Sequence, residues 1–164
     1  MTIPDNLPFT QQELYGFMDL AVKEAASNER LREGGPFGAA VVNVNTREVV
    51  SSAHNEVLAR HDPSAHAEVM AIRYACQKLQ RHILDDCILV TSAYCCPMCL
   101  SAVFWARIPT VFFASDVEEA DRKGFDDLVF YEELRRERPT KVQMHRLIHN
   151  DAKKVFDDST TELY

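Results

Sequence analysis

Cys87-Ile88-Leu89-Val90-Thr91-Ser92-Ala93-Tyr94-Cys95-Cys96-Pro97-Met98-Cys99 is the stretch on which the fold turns. Its first five residues form an unbroken apolar or β-branched run, the pattern of a strand covered on both faces. Pro97 then suits the first turn of a helix, where its missing amide hydrogen goes unused, and a helix is expected from there through Trp105. A buried strand leading into a helix is half of an α/β crossover. Cys96 and Cys99 stand three apart at that helix start, so both sulfurs lie on one face.

The same alternation extends outward in both directions. Asp62-Pro63-Ser64 reads as a helix start, with Asp62 or Ser64 able to cap the amides that follow, and the helix of residues 65–79 opens on His66-Ala67-Glu68. Further upstream, Thr10 with Glu13 makes a capping box, and Leu14, Phe17, Met18, Ala21, Val22 and Ala25 recur at helical spacing as far as about Leu31. Gly34-Gly35-Pro36 breaks that helix, residues 37–44 read as a buried strand, and a turn at 43–47 leads into a second strand at 48–53. Residues 54–63 look irregular. Downstream, the expectations are a fourth strand at 110–114, a helix at 127–136, a fifth strand at 142–148 and a closing helix at 150–158. Strands separated by helices imply a three-layer α/β/α sandwich with a mixed, mostly parallel sheet of about five strands.

The chain has 164 residues, 46% hydrophobic and 26% charged, which fits a single domain across residues 1–164. Its formal net charge of −7 repels phosphate backbones and anionic membranes, so a nucleic-acid partner is not expected. No apolar run approaches the roughly 20 residues that span a bilayer, and residues 1–9 lack a basic region followed by an apolar stretch. Together with five cysteines, an odd number, this predicts a reducing, cytoplasmic setting. Residues 132–138 read as a solvated helix end.

His66, Cys96 and Cys99 offer one nitrogen and two sulfur donors suited to zinc. A structural zinc is closed by four protein ligands, whereas a catalytic one keeps a position for water, and this set stops at three. Two thiolates balance the charge of the ion, and zinc brings the pKa of a bound water towards about 7. Glu68 follows His66 by two residues, about 200° around a helix, so both can serve one site only from the first turn. Two helix N-termini then face that site and favour negative charge there. A redox pair would leave His66 and Glu68 unexplained, and a zinc ribbon would need a second C-x-x-C pair. His54, His61, His82, His145 and His149 are read as ordinary polar residues.

His66-x-Glu68 with Cys96-x-x-Cys99 resembles the cytidine deaminase superfamily of zinc deaminases. Within it, Gly34-Gly35-Pro36-Phe37-Gly38-Ala39, His54-Asn55, Asp62-Pro63-Ser64-Ala65-His66-Ala67-Glu68, Phe104-Trp105-Ala106-Arg107 and Gly124-Phe125-Asp126-Asp127 look most like the bacterial guanine deaminases. The resemblance implies one zinc per chain and hydrolysis of guanine to xanthine and ammonia. Glu68 would carry a proton from water to a ring nitrogen and help deliver one to the departing amine. Asn55 would hydrogen-bond the base, the Ala67 amide would add a donor, and Phe37 and Trp105 would wall the pocket. Glu119, or Glu118 if the alignment slips by one, falls near the family's second carboxylate. Tyr164 resembles a C-terminal aromatic that closes an active site, in some members that of a partner subunit, and the superfamily's habit of assembly implies a homodimer.

One departure stands out. The family pattern places Glu-Pro before the first motif cysteine, whereas this chain has Tyr94-Cys95. The proline's fixed backbone and its carbonyl shape the leaving-group side of the pocket, so the substitution bears on substrate choice. The alternatives to guanine are another small aminated base, a tRNA adenosine for which an acidic chain is poorly charged, and a catalytically silent binding protein, against which Glu68 argues.

Overall fold

Thr10 starts the first helix, α1 (Gln11–Leu31): its hydroxyl accepts the Glu13 amide at 3.2 Å, and the Glu13 carboxylate accepts the Thr10 amide at 2.8 Å. The expected capping box is therefore present. Arg32, in the left-handed region, ends the helix. Leu14, Ala21, Ala25 and Asn28 are buried along one face, the stripe that helical spacing requires.

In this computed structural model, residues 7–137 and 140–160 are described. The chain divides into two compact units, Met1–Glu132 and Glu133–Tyr164. The first unit holds a four-stranded sheet of β1 (Gly38–Asn43), β2 (Val49–His54), β3 (Cys87–Ala93) and β4 (Thr110–Ser115), in the order β2-β1-β3-β4. β1 runs antiparallel to both β2 and β3, and the β3–β4 pair is parallel.

The sheet is mixed, as expected, but it is not mostly parallel. The reason lies in adjacency. A crossover through α3 (Ala67–Leu79) makes β3 run the same way as β2, yet β1 lies between them and reverses both pairings. The expected fifth strand at residues 142–148 is also absent. Alternation favours an extended segment, but a strand exists through ladder hydrogen bonds, and these residues make none among those described. Val142, Met144, Leu147 and Ile148 are exposed.

Successive residues of the central strands point to opposite faces and build two cores. Ala39, Val41 and Leu89 join Met70, Ala71 and Ile72 of α3 and Cys99 and Val103 of α4 (Pro97–Trp105). Val42, Ile88, Val90 and Phe112 join Leu14 and Phe9 on the α1 side. Helices thus cover both faces, the three-layer arrangement. Each fully buried leucine, isoleucine or valine adds about 1.5–3 kcal/mol, so β3, with Ile88, Leu89 and Val90 at 0% exposure, anchors both layers.

The remaining elements are short: α2 (Val57–Arg60), α5 (Val117–Asp121) and α6 (Asp127–Arg135). α2 and α5 fall in stretches without helical periodicity. In the second unit, Glu133 accepts hydrogen bonds from the Thr140 amide and hydroxyl and the Lys141 amide, and α7 (Asn150–Asp157) follows. No helix among the described residues is long and apolar enough to cross a membrane.

The register fixes where chemistry can sit. Gly38 pairs with His54 and Ala39 with Thr91, so the start of β1 lies beside the ends of β2 and β3. Phe37, Asn55 and the 94–96 loop therefore meet at one edge of the sheet.

Candidate active site

His66 is the N-cap of α3 and Cys96 the N-cap of α4, each in an extended conformation. Neither Asp62 nor Ser64 caps α3, contrary to expectation. Asp62 Oδ1 instead accepts from the Ser64 amide at 2.8 Å and its hydroxyl at 2.6 Å, and Arg73 reaches Asp62 at 3.3 Å and Ser64 at 3.1 Å. This braced turn delivers His66 to the helix start.

The three expected ligand atoms form a nearly equilateral triangle. Cys96 Sγ lies 3.6 Å and Cys99 Sγ 3.5 Å from His66 Nδ1, and the sulfurs are 3.5 Å apart. Zinc bonds of about 2.0–2.1 Å to nitrogen and about 2.3 Å to sulfur, at tetrahedral angles, place donors about 3.5–3.8 Å apart. The residues fit that ion as they stand. Among the described residues no fourth histidine, cysteine or carboxylate joins the cluster.

The electrostatics agree. The hydrogen bond from Cys99, against the cost of burial and with help from His66, brings the Cys96 thiol down to about 4. Cys99 moves the opposite way, because it shares its proton with Cys96 and is buried. A divalent cation within the triangle is what would allow both sulfurs to carry charge.

Glu68 sits in the first turn of α3, 5% exposed, and burial pushes its carboxyl up to about 7. The two-residue offset from His66 works as the helix geometry requires, since both groups face one cavity of about 450 Å³. Phe37, Asn55, His66, Glu68, Tyr94, Cys96, Phe125 and Asp127 all line it. That volume lies within the range of about 300–1,000 Å³ typical of small-molecule sites. Ala67, fully buried, is the first residue of α3 and stands between His66 and Glu68.

Asn55 is held by the Val57 amide, which donates to its Oδ1 at 3.1 Å, leaving Nδ2 as the donor for a ligand. Its position depends on Gly34: a Cβ there would stand 2.0 Å from Asn55 Oδ1 and 2.5 Å from its carbonyl oxygen, so no larger residue fits. Asn28, 3% exposed on α1, donates to the main-chain oxygens of both Gly35 and Asn55 at 2.8 Å. At the end of an amphipathic helix Asn28 looks like a surface residue; its pairing with a loop distant in sequence leaves no local signal.

The structure does not bring Glu119 or Trp105 into this cavity. Glu119 is exposed and accepts the Asp116 amide at 2.8 Å in the capping box of α5, so its carboxylate is committed to the helix start. Glu118 is exposed on the same short helix. The second carboxylate of the cavity is Asp127, raised to about 6 first by burial and then by the nearby Cys96 charge. Its signal was the Gly124-Phe125-Asp126-Asp127 stretch. Trp105 ends α4 at 63% exposure and is not among the lining residues, while Tyr164 lies outside the described residues.

The departure at Tyr94-Cys95 is accommodated by aromatic packing. Tyr94 meets Phe113 edge-on at 4.9 Å and Tyr131 at 6.1 Å. Tyr131 donates its hydroxyl to the Cys95 carbonyl at 2.5 Å. Burial pushes the Cys95 thiol upward, so it stays protonated beside the triangle.

Residues 11–115 match the family described as the cytidine and deoxycytidylate deaminase zinc-binding region. The guanine deaminase of Bacillus subtilis (strain 168) is 45% identical over 118 residues, which cover 72% of this chain and 74% of that protein. A tRNA-specific adenosine deaminase from Aquifex aeolicus (strain VF5) is 36% identical over 99 residues, 60% of this chain and 64% of that one. The X-ray structure of guanine deaminase from Bacillus subtilis superposes with a TM-score of 0.83 at 35% identity, covering 95% of this chain and 99% of that one.

Proposed function

Because the chain belongs to the cytidine and deoxycytidylate deaminase zinc-binding family, we propose that it hydrolyses guanine to xanthine and ammonia in the cavity beside His66. It is a zinc-dependent aminohydrolase, with His66, Cys96 and Cys99 as the residues that would hold the metal. Zinc, when bound, supplies Lewis-acid activation of water near neutral pH.

The observation that carries the reading is the meeting of a buried Glu68, the ligand triangle, Asn55 and Asp127 around one base-sized space. Water adds to the ring carbon that bears the amino group. Glu68 takes a proton from that water, passes it to a ring nitrogen and delivers one to the departing amine. Asn55 Nδ2 donates to a ring acceptor, and the Asp127 carboxylate accepts from the N–H edge of guanine, the role sequence reading gives to Glu119. Phe37 packs against the base. Adenine, whose ring nitrogen beside the amino-bearing carbon carries no hydrogen, would leave Asp127 unpaired in a half-buried site.

We assign the active form as a homodimer. Phe104 and Trp105 expose 64% and 63% of their surfaces side by side at the end of α4, and a second copy covers such a face at no cost in charge. The free cysteines suit the reducing cytoplasm. Zinc-loaded protein incubated with guanine, adenine, cytosine, their nucleosides and a tRNA anticodon stem-loop, with ammonia as the readout, tests the function. Release from guanine foremost supports it; release from another substrate and none from guanine overturns it.

A further inference from the structure

A second cavity, also about 450 Å³, adjoins the first. Phe37 and Phe125 line both, so their rings are the wall between them. The rings meet edge to face, with centroids 4.7 Å apart and an interplanar angle of 78°. Gly35 forms the floor of the pair: a Cβ there would lie 3.0 Å from the Phe37 ring and 3.2 Å from Phe125, so both rings are seated on bare backbone. The side chain of Phe125 thus completes the wall from an element separate in sequence from Phe37.

The two cavities differ in chemistry. The first carries the reactive groups. The second offers Ser115 and Lys123, a hydroxyl and an ammonium of the kind that hold sugar hydroxyls. Glu119, withdrawn from the reactive cavity, lines this one.

We propose that the Phe37–Phe125 pair is the partition that restricts the enzyme to free bases, and that the cavity behind it receives the sugar of a nucleoside once the partition is opened. The inference rests on the reading of guanine as the parent base. Phe125 is then a specificity-determining residue: its ring occupies the passage a ribose would take.

Phe125→Ala is the test, compared with wild type on guanine and guanosine. The ratio of kcat/KM for guanosine to that for guanine rises at least about ten-fold, the scale on which a hydrophobic wall discriminates. Val22→Trp, introduced from the exposed side of α1 into the second cavity, cancels the gain when combined with Phe125→Ala and leaves guanine turnover unchanged when made alone. An unchanged ratio, or a gain that Val22→Trp does not cancel, overturns the proposal. If wild type acts on another base instead, that base and its ribonucleoside replace the pair. A crystal structure of Phe125→Ala decides without any turnover: one continuous cavity supports the partition, and two cavities still separated by closure of the chain overturn it.

Discussion

Tyr131 and Cys95 are joined by a single hydrogen bond, 2.5 Å from the phenolic hydroxyl of α6 to the main-chain oxygen beside the first motif cysteine. Tyr131→Phe keeps the ring against Tyr94 but leaves that carbonyl without its donor. A bond worth about 1 kcal/mol corresponds to roughly a five-fold fall in kcat/KM if the 94–96 loop loses its set. Zinc content stays at the wild-type level. Steady-state kinetics and metal analysis check both.

Asn28→Ala removes two hydrogen bonds at once, to Gly35 and Asn55. The Gly35 carbonyl keeps the Phe37 amide at 2.8 Å, so it is the Asn55 carbonyl that loses its donor, and stability falls by about 1–3 kcal/mol, read as a shifted midpoint in denaturant. KM for the base rises as Asn55 loosens.

Glu68→Gln keeps the shape of the side chain and removes its proton chemistry. Zinc is retained, and turnover falls by roughly 10² to 10⁴-fold. Ammonia release under single-turnover conditions measures it, and near-normal release would contradict the shuttle.

His54 links Glu24 at 3.2 Å and Glu33 at 2.7 Å. Burial works against its charged form, but the hydrogen bonds its ring donates to the Glu33 and Glu24 carboxylates outweigh that cost and hold its pKa above the usual value. The charged form is therefore favoured by folding. Its contribution is fully present below the unfolded pKa of about 6.5 and is lost as pH rises through the higher folded value. Thermal unfolding followed across that window shows a fall in Tm with rising pH, and His54→Gln flattens it.

Chelation of the zinc uncovers the two sulfurs. Thiol alkylation at Cys96 then accelerates, because its pKa is held low by Cys99 and His66. Mass spectrometry of the alkylated protein, with and without added zinc, reads the protection.

The metal site was legible because it is local. His66 and Glu68 lie in one helical turn, Cys96 and Cys99 in another, and the spacing of each pair dictates its geometry. The helices carrying them were legible too, through Pro97 and the periodicity of residues 65–79. Asp127 was not, because sequence reading weighed only Glu119 and Glu118, and which acid reaches the cavity depends on how the chain turns between α5 and α6. Glu119 reads as a free acid in sequence, and its capping bond to Asp116 appears with the unforeseen α5. The strand directions were misjudged for a similar reason: a crossover fixes the sense of β2 and β3, while the insertion of β1 between them is a property of the assembled sheet.

The order of the ligands along the chain has a consequence for synthesis. His66, Cys96 and Cys99 all precede β4, α5 and α6. A ribosome that has extruded the chain through α4 has already released every zinc-binding group, whereas Phe125 and Asp127 have yet to emerge. Chains grow vectorially, at about 5–20 residues per second. The nascent protein can thus take up its ion while the site is open on the side those later residues cover, so metal loading does not require the finished enzyme to unfold.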